Sequence, residues 1–86
     1  MSTKIKAPEW FNGEIYEEGG EVTNPFSGAS YELNNVELSI YDFVIGCQMV
    51  MEMQPKLATK QRLKEFQDGL YWFRKNNAEA YMVLLD

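Results

Sequence analysis

The sequence predicts an α+β domain. A small antiparallel β-meander over about residues 10–33 packs on two long helices, at about 35–53 and 59–76, and on a short C-terminal helix at 78–85. Three observations predict it. Residues 10–33 alternate apolar and polar side chains between glycine- and proline-rich turns. A long apolar run then opens on Asn34 and Glu37 in capping-box spacing and stops before Pro55. A second stripe of helical period runs from Thr59 to Asn76.

In chain order, residues 1–9 read as a loose N-terminal arm containing Pro8. Phe11, Gly13 and Ile15 point one way along a first strand and Asn12, Glu14 and Tyr16 the other. Glu17-Glu18-Gly19-Gly20 reads as a hairpin turn leading to Glu21-Val22-Thr23, because glycine takes the positive φ that such turns need. Asn24-Pro25-Phe26-Ser27-Gly28 is a second turn, and Ala29 to Leu33 a third strand. Ile15, Val22, Tyr31 and Leu33 are its expected inward residues.

The first helix carries apolar side chains on two faces. Val36, Ile40, Phe43, Cys47 and Val50 form one, and Leu38, Tyr41, Ile45 and Met49 the other. A narrow strip of Asn35, Ser39, Asp42 and Gly46 separates them. A helix apolar on two sides is covered on two sides, so the second face awaits the rest of the chain or another chain. The second helix places Thr59, Leu63, Phe66, Leu70 and Phe73 in one stripe, with Trp72 nearly opposite. Gly69 weakens it by about 1 kcal/mol relative to alanine and allows a close helix contact. Asn76-Asn77 ends it and caps the last short helix.

Length and composition narrow the function. Eighty-six residues make one domain, 1–86, with a thin core. A single cysteine excludes an internal disulfide and fits a reducing, cytoplasmic compartment. The start of the chain does not read as a signal peptide, and the longest apolar run, Phe43 to Met53, is far shorter than the roughly 20 residues that cross a bilayer. The acidic net charge of −5 disfavours nucleic acid and anionic lipid. Its distribution is uneven: residues 1–54 hold nine acids against two lysines, and residues 55–86 six bases against four acids.

Parts of the chain resemble small proteins encoded by marine tailed phages, including phages of cyanobacteria. The likeness rests on Asn24-Pro25-Phe26-Ser27-Gly28, Tyr31-Glu32-Leu33, Glu37-Leu38-Ser39-Ile40-Tyr41-Asp42-Phe43, Gly69-Leu70-Tyr71-Trp72-Phe73-Arg74-Lys75-Asn76-Asn77 and Ala80-Tyr81-Met82-Val83-Leu84-Leu85-Asp86, and covers about half of the chain. It includes no catalytic signature and lends no activity. It implies a phage product working in an infected bacterial cytoplasm.

The residues offer little chemistry. Without histidine there is no His-based triad or His metal site. Cys47 reads as a buried structural thiol. Cys47, Met49, Met51 and Met53 are soft ligands, but on a helix successive members turn by about 200° and cannot converge on one ion. Glu17, Glu18 and Glu21 sit at a solvated turn, and Gly19-Gly20 matches no phosphate-binding fingerprint. Lys60, Arg62, Lys64, Arg74 and Lys75, with Tyr71 and Trp72, form a basic patch interrupted by Glu65 and Asp68. No catalytic, metal or cofactor residue is expected.

The leading expectation is a non-enzymatic protein-interaction module. Its partner is a host or phage protein or a second copy in a homodimer, met through Leu38, Tyr41, Ile45, Met49 and Trp72. The alternatives are a nucleic-acid-linked protein, either a weak binder through the second helix or an acidic DNA mimic, and an enzyme that works with carboxylates alone.

Overall fold

The computed structural model of the protein describes residues 7–11 and 13–85. Strands β1 (Gly20–Thr23) and β2 (Ser30–Leu33) precede helix α1 (Asn35–Met53), a 3-10 turn (Pro55–Leu57), helix α2 (Lys60–Asn76) and helix α3 (Ala78–Ala80). The last helix continues as a π-helical turn, Tyr81–Leu85. The fold class is the α+β class expected. Of the expected arm over residues 1–9, residues 1–6 lie outside the described residues. Ala7 packs against the edge of the core.

Local chemistry sets the helix ends. Asn34 is extended, its side-chain oxygen accepts from the Glu37 amide at 2.8 Å, and Glu37 Oε1 accepts from the Asn34 amide at 2.9 Å. That reciprocal pair satisfies two donors that the first turn leaves open. Pro55 cannot continue the helix, and the chain turns there. Thr59 Oγ1 caps α2 by accepting from the Arg62 amide, and Asn77 Oδ1 caps α3 by accepting from the Ala80 amide.

The sheet is a two-stranded antiparallel hairpin, with Gly20 opposite Leu33 and Val22 opposite Tyr31. Its turn is Asn24–Ala29, closed by the Asn24 amide on the Ala29 carbonyl, with Gly28 at φ 79°. The expected first strand is a strap instead. Residues 13–16 take no strand, because the hydrogen bonds of Tyr16 go to α1. Its amide donates to Ser39 Oγ at 2.8 Å, its carbonyl accepts from Asn35 Nδ2 and its hydroxyl donates to Asp42. The narrow polar strip on the helix is thus the strap's docking track. Glu17-Glu18-Gly19-Gly20 carries the strap into β1 rather than forming a hairpin. Gly19 lies against the Leu33 carbonyl, where no side chain fits. Of the expected inward residues, Leu33 is buried, Val22 and Tyr31 are half-buried, and Ile15 is exposed.

The core joins Leu33, Val36, Ile40, Val44, Phe73, Ala80 and Leu84. It is centred on Val44, between the two apolar stripes of α1, so both stripes are covered at their inner margins. Phe43 is covered by Phe11, edge-on at 5.5 Å between ring centres, and by Trp10 at 6.4 Å. Helices α1 and α2 meet where Gly69 faces the Val44 side chain; a Cβ at Gly69 would overlap Val44 Cγ2. Buried Glu37 ties the start of α1 to the start of α3 by accepting from Asn77 Nδ2 at 2.8 Å.

Candidate functional site

Beside the Val44–Gly69 contact, the paired helices leave a groove of 780 Å³ that extends toward their connecting turn. On one side stand Tyr41, Ile45 and Met49, one helical turn apart along α1. Leu63, Phe66 and Leu70 of α2 face them. Leu84 and Leu85 of the π-helical turn close one end, and Pro25 and Phe26 of the hairpin turn stand at its rim. Among the described residues, Glu52 is the one charged side chain in this lining. Burial, and then the charge of Asp42, push the Tyr41 hydroxyl above its ordinary 10.0, so it is a neutral, largely apolar wall at physiological pH.

Phe26 is the most exposed large apolar side chain described, 95% open. Its backbone is nevertheless held firmly. Asn24 Oδ1 accepts from the Phe26 amide at 2.8 Å and, more loosely, from the Ser27 amide at 3.4 Å. The other end of the same side chain, Asn24 Nδ2, donates to the Val83 carbonyl at 3.0 Å. The turn is therefore fastened to the C-terminal turn, and Phe26 stands out at the mouth of the groove on a braced loop.

The expected interface residues separate into two groups. Ile45 and Met49 line the groove, and Met49 is exposed. Tyr41 lines it as well but is buried by its own chain. Leu38 is half-buried, packs against the core beside Gly20 at the start of β1, and does not line the groove. Trp72 is also buried by its own chain. It lies edge-on to Phe73 at 5.2 Å and beside Trp10 in a separate shallow depression, so it presents little surface to a partner. Sequence reasoning missed Phe26, Leu63, Phe66 and Leu85. A large ring inside an otherwise polar turn was the available signal for Phe26; the stripe of Leu63, Phe66 and Leu70 was visible, but its exposure was not.

The remaining candidates carry less. Cys47 is buried, and burial pushes its thiol above its ordinary 9.0, which disfavours the nucleophilic thiolate. Met49 and Met53 are exposed while Cys47 is buried, so the sulfurs do not converge. Among the described residues no three His, Cys, Asp or Glu side chains are placed to hold a metal ion. In the basic patch, Lys64 pairs with Asp68 at 2.9 Å, Lys75 lies over the Tyr71 ring, and Arg74 lies over the Tyr81 ring. Glu14, Glu17, Glu18, Glu21 and Glu32 are exposed toward the other end of the hairpin. No helix among the described residues is long and apolar enough to cross a membrane.

The fold and this site define a small α+β domain whose principal concave surface is an apolar groove between two helices. Comparison with protein-family models, with curated proteins and with solved structures finds no match to the chain.

Proposed function

We propose that the protein is a non-enzymatic interaction module that receives apolar side chains of another protein chain in the groove between α1 and α2. The observation that supports this reading is the groove itself. It is apolar and open, and it is rimmed by exposed Met49 and Leu63 on a chain of 86 residues. Chains this small ordinarily close such surface against their own core, and contiguous apolar patches that remain open mark contact sites. Adaptable methionines beside an aromatic suit a protein surface better than a single small ligand. Together with the phage resemblance, the reading places the partner among host or phage proteins of an infected bacterial cytoplasm.

The test compares tagged wild-type protein with Met49→Asp and with Tyr71→Ser in infected-cell lysate. Tyr71 is equally exposed but lies outside the groove. Capture of a defined protein that is lost in Met49→Asp and kept in Tyr71→Ser supports the reading. Capture indifferent to Met49→Asp overturns it.

A further inference from the structure

We infer that the groove's occupant is Phe26 of a second copy of this chain, inserted reciprocally across a two-fold axis. The inference deepens the interaction-module reading and rests on it. The first argument is self-complementarity. One face of one chain carries both an apolar hole and, at its mouth, an apolar knob, and a two-fold pairing satisfies both at once. A different partner would have to supply a knob for the groove and, separately, a pocket for Phe26.

The second argument is the bracing of the knob. An aromatic ring on a loose turn would lose its freedom on docking. Here the Asn24 side chain already fixes the turn through the Phe26 amide and ties it to Val83, so little ordering remains to oppose association. An aromatic ring that projects into solvent from a braced turn and enters an apolar groove has the character of an interface hot spot.

The third argument is charge. The chain carries −5 overall, so most close encounters between copies are repulsive. Among the described residues the groove lining contains a single charge, Glu52, and the exposed acids of residues 14–32 lie toward the other end of the hairpin. Of the described residues this face brings one carboxylate per copy, Glu52, against the five of the hairpin's other end, so two copies meet here with the least repulsion. The fourth is area. Reciprocal docking would cover nearly the whole Phe26 ring and the exposed parts of Met49 and Leu63 on each copy, a small interface of the reversible kind. The dimer is accordingly reversible and of micromolar strength.

Sedimentation equilibrium over about 1–300 μM, bracketing the expected micromolar range, tests it on wild type, Phe26→Ser, Met49→Asp and Tyr71→Ser. Wild type and Tyr71→Ser are expected to dimerise. Phe26→Ser is expected to weaken the dimer about a hundredfold, because the two-fold counts each loss twice. Its thermal melt should stay unchanged at dilutions where the wild type is monomeric, since Phe26 has almost no contact with its own chain. A photo-reactive phenylalanine at position 26, in a mixture of isotopically light and heavy chains, should cross-link to peptides containing Met49 or Leu63 of the other copy. A wild type that stays monomeric throughout, or a dimer indifferent to Phe26→Ser, overturns the inference. In either case the broader reading still stands if capture of a partner depends on Met49, and it falls separately if it does not.

Discussion

Gly46 and Gly69 both lie inside helices, and the same substitution should move stability in opposite directions at the two sites. Gly46 has nothing near the position of an added Cβ, so Gly46→Ala gains helix propensity alone, about 1 kcal/mol. Gly69→Ala gains the same amount but drives its methyl into Val44 Cγ2, in a residue with no exposed surface. Val44 cannot swing aside readily, because a β-branched side chain in a helix has one strongly preferred rotamer. Overpacking of this kind costs about 1–3 kcal/mol, so the net effect is a loss of about 1 kcal/mol. At roughly 4–8 °C per kcal/mol for a domain of this size, Gly46→Ala should melt higher and Gly69→Ala lower by that interval. Urea denaturation followed by the fluorescence of buried Trp72 measures both. The double variant Val44→Ala/Gly69→Ala adds a check: the new methyl partly fills the space vacated, so its loss should fall short of the summed single losses by about 1 kcal/mol or more. Equal stabilisation by the two alanines, or strict additivity in the double variant, would refute the close helix contact.

Three further expectations follow from the same packing. Gly19→Ala places a methyl against the Leu33 carbonyl and the Asn34 backbone, which cannot yield as a side chain can, and should cost about 2 kcal/mol or more by urea denaturation; a neutral result would mean that the strap does not pass there. Glu37→Gln turns an acceptor for Asn77 Nδ2 into a donor, while Asn77 Oδ1 is already committed to the Ala80 amide, so a loss of about 1–3 kcal/mol is expected, against none if Glu37 only caps its own helix. Raised hydroxyl and thiol pKa values make the fold sensitive to alkali. Burial raises those of Cys47 and Tyr41, and a hydrogen bond to Glu79 followed by burial raises that of Tyr31. Each group holds its proton more tightly folded than unfolded, so its contribution is complete below the unfolded values of 9.0 for the thiol and 10.0 for the hydroxyls, and it is lost as pH rises through the higher folded ones. The melting temperature should be level near neutrality and fall from about pH 9 upward, with Cys47→Ser removing the earliest part of the fall; a melting temperature that rises above about pH 10 would refute this.

What the sequence made legible was local. Asn34 with Glu37, Thr59, Asn77 and Pro55 mark helix ends through contacts within a few residues, and the observed bounds of α1 and α2 agree with the reading to within one residue. Gly69 was readable as a point of close approach because it borders the apolar stripe of α2, whereas Gly46 lies in the polar strip of α1 and meets nothing. The strap was not readable as a strap. Alternation of apolar and polar side chains looks the same whether the backbone bonds to a neighbouring strand or, as at Tyr16, to Asn35 and Ser39 of a helix. The groove was half legible. The rows Tyr41–Ile45–Met49 and Leu63–Phe66–Leu70 are plain in the periodicity. Whether two such rows close on each other or stand apart depends on where the helices cross and on the turn that joins them, and neither has a periodic signature. Trp72 shows the converse: its angular position pointed outward, but Trp10 lies on that side of α2.

Asn24 is where turn, knob and groove wall are joined, and its two functions can be separated chemically. In Asn24→Asp the side chain keeps an oxygen for the Phe26 and Ser27 amides, so the turn should survive. The atom facing the Val83 carbonyl becomes a carboxylate oxygen, and a hydrogen bond is replaced by two acceptors in opposition. Asn24→Ala removes both functions. A lost hydrogen bond with a partner left unpaired costs about 1–3 kcal/mol, so both variants should be less stable than wild type. They should differ in local order. Amide exchange at Phe26 and Ser27 should remain slow in the aspartate variant and become fast in the alanine variant, while amides in the Tyr81–Leu85 turn should exchange faster in both. If Phe26 acts as a braced knob, the aspartate variant keeps more of its association than the alanine variant does. Equal loss in the two would show that the tie to Val83, and through it the wall formed by Leu84 and Leu85, governs docking more than the turn does. Wild-type exchange throughout the aspartate variant would show that the hairpin turn and the C-terminal turn are not coupled through this side chain at all.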